Sequence, residues 1–120
     1  MNNSKVTFIL HKPQLSENIG ACARAIKNFN FEKLYLIDPK PIFPNDKILA
    51  TSVGAKDIIK KSKVFDNLES SLGDIDILIA TSARFRNKNV KHINLEGLKK
   101  YRFWKKNWIF IWFRSIRTIK

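Results

Sequence analysis

The chain has 120 residues, of which 44% are apolar and 28% are charged, so it is one domain of globular composition and not a disordered chain. With Cys22 as its only cysteine, the sequence cannot form an internal disulfide. One cysteine and two distant histidines also cannot make a structural zinc site. Such a low cysteine content is typical of the reducing cytoplasm. No apolar run reaches the roughly 18 residues of a membrane span. A net charge of +13 usually indicates a polyanionic partner, but most of this charge lies in the last 22 residues, which weakens that inference.

The apolar pattern predicts strands and helices that alternate from residue 6 to residue 80. The predicted strands cover residues 6–10, 33–37, 63–65 and 76–80, and the predicted helices cover 18–29, 46–52 and 67–71, with 55–59 left unassigned. Ser16 or Asn18 is expected to cap the first helix, and Asp66 the last. Because the strands are mostly apolar, the pattern is typical of a mostly parallel α/β sheet with helices on both faces.

The segment after the first strand is the first candidate site, because ligands of parallel sheets bind beyond the carboxyl ends of the strands. A helix that begins near Asn18 offers free N–H groups to an anion, and Gly20 and Ala21 keep the turn slim enough for close approach. Arg24 can hold a phosphate in a bidentate grip. The alternative for the same residues is an ordinary capped helix with a solvated arginine.

A second candidate site follows the fourth strand, where Thr81 and Ser82 place small hydroxyl side chains that can meet a ligand. The alternative there is a polar strand end that caps the next helix. The basic residues Arg84, Arg86 and Lys88 come next, and they either contact phosphates or form a solvated loop. No glycine pattern of a nucleotide-binding loop is present, which argues against that class of enzyme.

Four sequence blocks occur in an order and spacing that is similar to a known family. They are PQLSENIGACARAIKNF at residues 13–29, LYLIDP at 34–39, GAKD at 54–57 and TSAR at 81–84. Together they resemble the SpoU (TrmH-like) family of RNA ribose 2′-O-methyltransferases, a branch of the SPOUT superfamily, and its TrmJ-like tRNA and rRNA subgroup in particular. The resemblance covers about residues 5–90.

The resemblance implies a parallel α/β fold whose C-terminal part is threaded into a knot that binds S-adenosylmethionine and usually forms a homodimer. It implies that Asn18 and Arg24 are the active-site pair. Because a guanidinium stays protonated at ordinary pH, we expect Arg24 to hold a phosphate of tRNA or rRNA, and Asn18 to orient either that phosphate or Arg24. It also implies that Thr81, Ser82 and Ala83 contact S-adenosylmethionine. Neither a metal ion nor a membrane has a part in this expectation.

The last 22 residues differ in composition from the rest. Residues 99–120 carry eight basic side chains, no acidic one and all three tryptophans, whereas residues 1–98 have a net charge of only +5. We therefore predict an N-terminal part of a SpoU-type domain at 1–98 and a basic, tryptophan-rich tail at 99–120. The glycine-rich second motif of the family and its asparagine-rich third motif are both missing from this sequence.

The tryptophan codons suggest an origin for the tail. Tryptophan has only the codon TGG, so a frame shifted by one base reads glycine at Trp108 and at Trp112. The neighbouring codons then permit Ile-Gly-x-x-Phe-Gly-Ser-Glu, which resembles the missing second motif. We hypothesise that the residues after Lys106 come from a shifted reading frame, which the nucleotide sequence of the gene decides.

This interpretation predicts a chain without the family's knot, in which one sheet edge stays open and the apolar tail has no core to join. We expect marginal stability, weak binding of S-adenosylmethionine and little methyl transfer from these 120 residues alone. Two other interpretations remain open. One is a non-catalytic RNA-binding or inert remnant with a basic tail, and the other is a flavodoxin- or receiver-like domain, although the strand ends lack the acidic cluster of a receiver.

Overall fold

The computed structural model describes residues 5–73, 75, 77–81 and 108–113, and these contain a five-stranded parallel sheet. The strands are β1 (Val6–His11), β2 (Lys33–Ile37), β3 (Lys63–Phe65), β4 (Ile77–Thr81) and β5 (Trp108–Phe113). Their order across the sheet is β3-β2-β1-β5-β4. Because all neighbours run parallel, the carboxyl ends of the five strands lie at one edge of the sheet.

Helices cover both faces of the sheet, which confirms the predicted α/β class. They are α1 (Ser16–Asn28), α2 (Asp46–Thr51), α3 (Lys56–Lys61) and α4 (Leu68–Ser71). The first three pack on one face in a core of buried side chains from α1, α2, α3, β1 and β2, and that core includes Ile19, Ile26, Leu36 and Ile48. The opposite face carries a smaller cluster around Ile9 and Ile37, packed against Leu68 and Leu72. The alternation of apolar residues between the two faces explains why the strands read as continuous apolar runs.

The helix caps differ from the sequence-based expectation. Helix α1 begins at Ser16 after Leu15, and Leu15 makes no side-chain capping bond, so the expectation that Ser16 or Asn18 caps this helix is wrong. Helix α4 is capped by Asn67, whose side chain accepts a hydrogen bond from the backbone N–H of Ser70 at 2.9 Å, and not by Asp66. A cap residue directly precedes the helix and accepts from an N–H two or three positions on, and Asn67 is the residue directly before Leu68.

Residues 108–113 of the predicted tail form a strand of the sheet, whereas the sequence analysis expected the apolar tail to have no core to join. The backbone of β5 pairs with β1 from Val6↔Trp108 to His11↔Phe113, and with β4 from Ile77↔Trp108 to Thr81↔Trp112. Its six residues are aromatic or branched and are strong strand formers, and the backbone of this strand lies between β1 and β4. The proposed boundary at residue 98 and the shifted reading frame stay predictions, because residues 82–107 lie outside the described part of the chain.

Candidate functional site

The loops at the carboxyl edge of β1, β2 and β3 are tied to one another by backbone hydrogen bonds. The N–H of Lys12 donates to the carbonyl of Ile37 at 2.8 Å, and the N–H of Asp38 donates to the carbonyl of Phe65 at 2.8 Å. Lys12 and Asp38 both have positive φ, 52° and 45°, directly after their strands. The left-handed backbone conformation is costly for residues other than glycine. The hydrogen bonds to the neighbouring strand ends hold these two residues in it.

The start of α1 is fixed from the side by Asn45, the cap of α2. Its Oδ1 accepts from the N–H of Ile48 at 2.8 Å, while its Nδ2 donates to Ser16 Oγ at 3.1 Å and to the carbonyl of Ile42 at 2.9 Å. Sequence reasoning missed Asn45 as a positioning residue. An asparagine directly before a short helix predicts a capping role. The contact between Asn45 and Ser16, 29 positions apart, could not be predicted from the sequence.

Asn18 lies in the first turn of α1, is half-buried, and has an unusual feature in its side-chain amide. Its Nδ2 atom is buried and has no hydrogen-bond partner among the residues that the structure describes. An unpaired buried donor costs on the order of 1–3 kcal/mol, and such a group in a folded protein calls for an explanation. The amide can donate to an oxygen of a bound anion.

Arg24 lies six residues further along α1 and is exposed. Two lysines nearby in the fold are neutralised, since Lys27 lies 2.7 Å from Asp57 and Lys47 lies 3.0 Å from Glu17. Within the described ranges Arg24 has no such partner, so its guanidinium is available for a phosphate. Six helical residues separate Asn18 from Arg24 by about 9 Å along the axis and about 120° around it. The two side chains therefore present their donors in different directions.

Gly20 serves helix packing, and its expected role in ligand approach is wrong. The residue is buried in α1, and a Cβ atom added there would lie 2.8 Å from both the carbonyl carbon and the Cβ of Thr51 in α2, and would overlap Thr51 Oγ1. The glycine thus lets two helices touch closely. Ala21 is exposed on the same helix.

Neither His11 nor Glu17 brings positive charge to this edge at neutral pH. Burial, helped by Lys12 and opposed by Asp38, lowers the pKa of His11 below its ordinary value, so the imidazole is neutral. The pKa of Glu17 is lowered by a hydrogen bond from its own backbone N–H and by Lys47, so its carboxylate is charged. The positive charge at the first turns of α1 therefore has to come from arginine, lysine and the helix N-terminus.

The described residues support neither a cysteine nucleophile nor a metal site. Burial raises the pKa of the Cys22 thiol to about 11, which leaves very little thiolate at neutral pH. In the part of the chain that the structure describes, no group of three histidine, cysteine or acidic side chains could hold a metal ion, and no helix is long and apolar enough to cross a membrane.

The second candidate site lies only partly within the structure. Thr81 ends β4, and the register runs from Thr81 through Trp112 to Leu10 at the end of β1. Two strand spacings put this backbone about 10 Å from that of Leu10, at the same edge as α1. Ser82, Ala83, Arg84, Arg86 and Lys88 lie outside the described residues, so their expected contacts with cofactor and RNA stay predictions.

Comparison with known proteins assigns the chain to a family. A family model described as the SpoU rRNA methylase family matches residues 5–111. The tRNA (cytidine-2′-O-)-methyltransferase TrmJ of Methanocaldococcus jannaschii is 35% identical over 89 residues, which are 73% of this chain and 38% of that protein. An uncharacterized tRNA/rRNA methyltransferase of Escherichia coli, LasT, is 42% identical over 85 residues, which are 70% of this chain and 36% of that protein.

Solved structures give the same result. A probable methylase family protein from Haemophilus influenzae matches with a TM-score of 0.82 and 27% identity, over all of this chain and 50% of that one. TrmJ from Z. mobilis matches with a TM-score of 0.72 and 26% identity, over 89% of this chain and 49% of that one. The chain spans little more than a third of the curated relatives described above. From the family model and these similarities, the chain belongs to the SpoU methylase family and resembles its TrmJ-like tRNA/rRNA methyltransferases.

Proposed function

We propose that this chain serves the transfer of a methyl group from S-adenosylmethionine to a ribose 2′-oxygen of tRNA or rRNA. Family membership supports the reaction class. One structural observation carries the assignment to residues: a buried amide donor without a partner, Asn18, and a guanidinium without an acidic partner among the described residues, Arg24, lie on the helix that starts at the carboxyl edge.

Arg24 has an electrostatic role in this proposal. A guanidinium stays protonated at any ordinary pH, so Arg24 is not the base that removes the ribose proton. It holds the neighbouring phosphate with two parallel N–H bonds and stabilises the negative charge that develops on the 2′-oxygen. Because Asn18 and Arg24 point in different directions, Asn18 orients a separate oxygen of the bound substrate and does not hold Arg24.

S-adenosylmethionine supplies, when bound, a methyl group on a sulfonium that is already a good leaving group, so positioning accounts for much of the rate. We assign its binding to Thr81, Ser82 and Ala83. Of these, the backbone of Thr81 is at the carboxyl edge, about 10 Å from the end of β1 across β5. The unpaired amide of Asn18 at the same edge can donate a hydrogen bond to an oxygen atom of a bound ligand.

A non-catalytic RNA-binding role is the second candidate. The observation that favours it is the charge of residues 99–120, which carry eight basic side chains and no acidic one. Such a segment binds RNA through its phosphates with little regard for sequence and with a steep dependence on salt. In that case Arg24 contributes no more to binding than any other exposed cation.

A single-turnover assay distinguishes the two candidates. The chain is mixed in excess with bulk tRNA and rRNA and methyl-labelled S-adenosylmethionine, because we expect slow transfer from these 120 residues. Labelled RNA is expected with the unchanged chain. The Arg24→Ala variant should lose a factor of about 100 or more in rate, the size of effect seen when a transition-state donor is removed. Arg24→Lys should recover only part of it, because an ammonium cannot form the two parallel bonds.

The matched control is Lys60→Ala, which removes an exposed cation from α3 on the same face of the sheet. It should leave transfer unchanged. RNA binding that is salt-sensitive and equal in the unchanged chain, Arg24→Ala and Lys60→Ala, without labelled RNA, would replace the proposal by the non-catalytic role.

A further inference from the structure

Two large apolar side chains are exposed in the loops next to the start of α1. Leu15 directly precedes the helix and is 52% exposed, and Ile42, in the loop between β2 and α2, is 84% exposed. Single exposed apolar residues are common on protein surfaces, so exposure alone does not mark a binding site. The other large apolar side chains exposed in the described part of the chain lie away from this loop pair, and they are Phe29, Val53, Val64 and Leu78.

Leu15 is hydrogen-bonded to the residue with the unpaired amide. The backbone N–H of Asn18 donates to the carbonyl of Leu15 at 3.2 Å, so the two residues are neighbours in the first turn of α1. The Nδ2 donor of Asn18, which has no partner among the described residues, therefore lies close to an exposed leucine. A ligand that contacts both residues must carry an acceptor oxygen next to an apolar surface, and a free phosphate ion has no such surface.

Ile42 is held beside the same turn by hydrogen bonds between two loops. The N–H of Lys40 donates to the carbonyl of Pro13 at 2.9 Å, which joins the loop after β2 to the loop after β1. Asn45 Nδ2 donates to the carbonyl of Ile42 at 2.9 Å and to Ser16 Oγ at 3.1 Å, so the two acceptor oxygens lie within about 6 Å of each other. Because the loop is already fixed at these points, a ligand that covers Ile42 has little backbone to order.

We propose that Leu15 and Ile42 pack against a base of the bound RNA, while the Asn18 amide donates to an oxygen of the same nucleotide. This inference deepens the proposed function and rests on it for the identity of the ligand. A nucleotide joins a flat, weakly polar base to a ribose and a phosphate that bring acceptor oxygens and negative charge. The base buries the exposed apolar surface, and the N-terminus of α1 favours the phosphate.

The test compares two RNA oligomers of the same length and charge, a uridylate oligomer and an abasic ribose-phosphate oligomer. Each displaces a fluorescein-labelled uridylate oligomer, followed by fluorescence anisotropy, so the ratio of the two affinities measures what the bases contribute. The unchanged chain should bind the uridylate oligomer more tightly than the abasic one. The double variant Leu15→Ser/Ile42→Ser should bind the uridylate oligomer about tenfold more weakly, a loss in the range expected for partial exposure of two apolar side chains.

The affinity of the same variant for the abasic oligomer should stay within about twofold of the unchanged chain, because the phosphate contacts are intact. Folding is expected to survive, since Leu15→Ser puts a preferred capping residue before α1 and Ile42 is exposed. The circular dichroism spectrum checks this. The matched control is Phe29→Ser, which removes a side chain that is 74% exposed at the other end of α1, about 20 Å from Leu15 along the helix. It should leave both affinities unchanged.

Equal losses for the two oligomers in the double variant, or the same loss of uridylate affinity in Phe29→Ser, would overturn the inference. Unchanged affinity for both oligomers, with a smaller species in size-exclusion chromatography, would overturn it too and assign the pair to a contact between copies of the chain.

The binding assay involves no methyl transfer, so the two proposals fail separately. If Arg24→Ala leaves methyl transfer unchanged while Leu15→Ser/Ile42→Ser loses the base-dependent affinity, the proposed function fails and the base contact stands. If the ratio of affinities is the same in the unchanged chain and in the double variant, the base contact fails whatever the transfer assay shows.

Discussion

Replacement of Gly20 by alanine tests the close packing of α1 against α2. An interior Gly→Ala change in a helix is worth about 1 kcal/mol in favour of folding when nothing else changes. At Gly20, however, the new Cβ would lie 2.8 Å from the backbone carbonyl carbon of Thr51, whereas carbon atoms pack at roughly 3.5–4.0 Å. The helices would have to separate by about 1 Å, the difference between these distances.

Helix α2 cannot move freely to make that room. Asn45 ties its start to Ser16 of α1, and Lys47 is ion-paired with Glu17. Overpacking of this kind costs roughly 1–3 kcal/mol, and the backbone contact places Gly20→Ala at the upper end. After the gain in helix propensity we expect a net loss of about 2 kcal/mol. The free energy of unfolding from urea titration, followed by circular dichroism, measures it.

Two further variants separate packing from helix propensity. Ala21→Gly, at the exposed neighbour, should cost about 1 kcal/mol from propensity alone. Thr51→Gly removes the side chain that the new Cβ meets. The double variant Gly20→Ala/Thr51→Gly should therefore lose less free energy of unfolding than the sum of the losses in the two single variants. A gain of about 1 kcal/mol from Gly20→Ala alone, as at an unhindered helix position, would refute the packing account.

Three other outcomes follow from the structure. Asn45→Ala should lower the free energy of unfolding by about 1–2 kcal/mol through the lost cap, and Asn45→Asp should recover the part due to Oδ1, as urea titration would show. The free energy of unfolding should fall as pH drops below 6.5, because the folded state holds His11 neutral, and a His11→Gln variant should flatten that dependence. Cys22, with a pKa of about 11, should react with iodoacetamide at neutral pH far more slowly in the folded chain than in urea.

Much of the fold was predictable because its signals are local. β2 and β3 occur where the apolar runs indicate, and β1, β4 and α1 agree within one or two residues. The place of β5 between β1 and β4 was not predictable from composition, since nothing local says which strands a segment pairs with. The charge and tryptophan content of residues 99–120 predicted a tail of different composition, and composition does not show that part of such a segment pairs with β1 and β4.

The candidate site shows the same division between local and distant information. Asn18 and Arg24 are named by a sequence motif, and the structure adds that one has a buried free donor while the other is exposed. The reason for Gly20 depends on Thr51, 31 positions away, and so it could not be read from the motif. A position that serves packing and the positions that we propose for chemistry occur in one helix, and only three-dimensional contacts distinguish them.

The position of the transferred methyl group tests the central claim most directly. RNA labelled by the chain in the single-turnover assay is hydrolysed with alkali, which requires a free 2′-hydroxyl next to each phosphate. Our account predicts label in alkali-resistant dinucleotides, and its loss in Arg24→Ala while Lys60→Ala keeps it. Label in single nucleotides, which marks methylation of a base, or label that Arg24→Ala does not change, would contradict the assignment of ribose methyl transfer to this edge of the sheet.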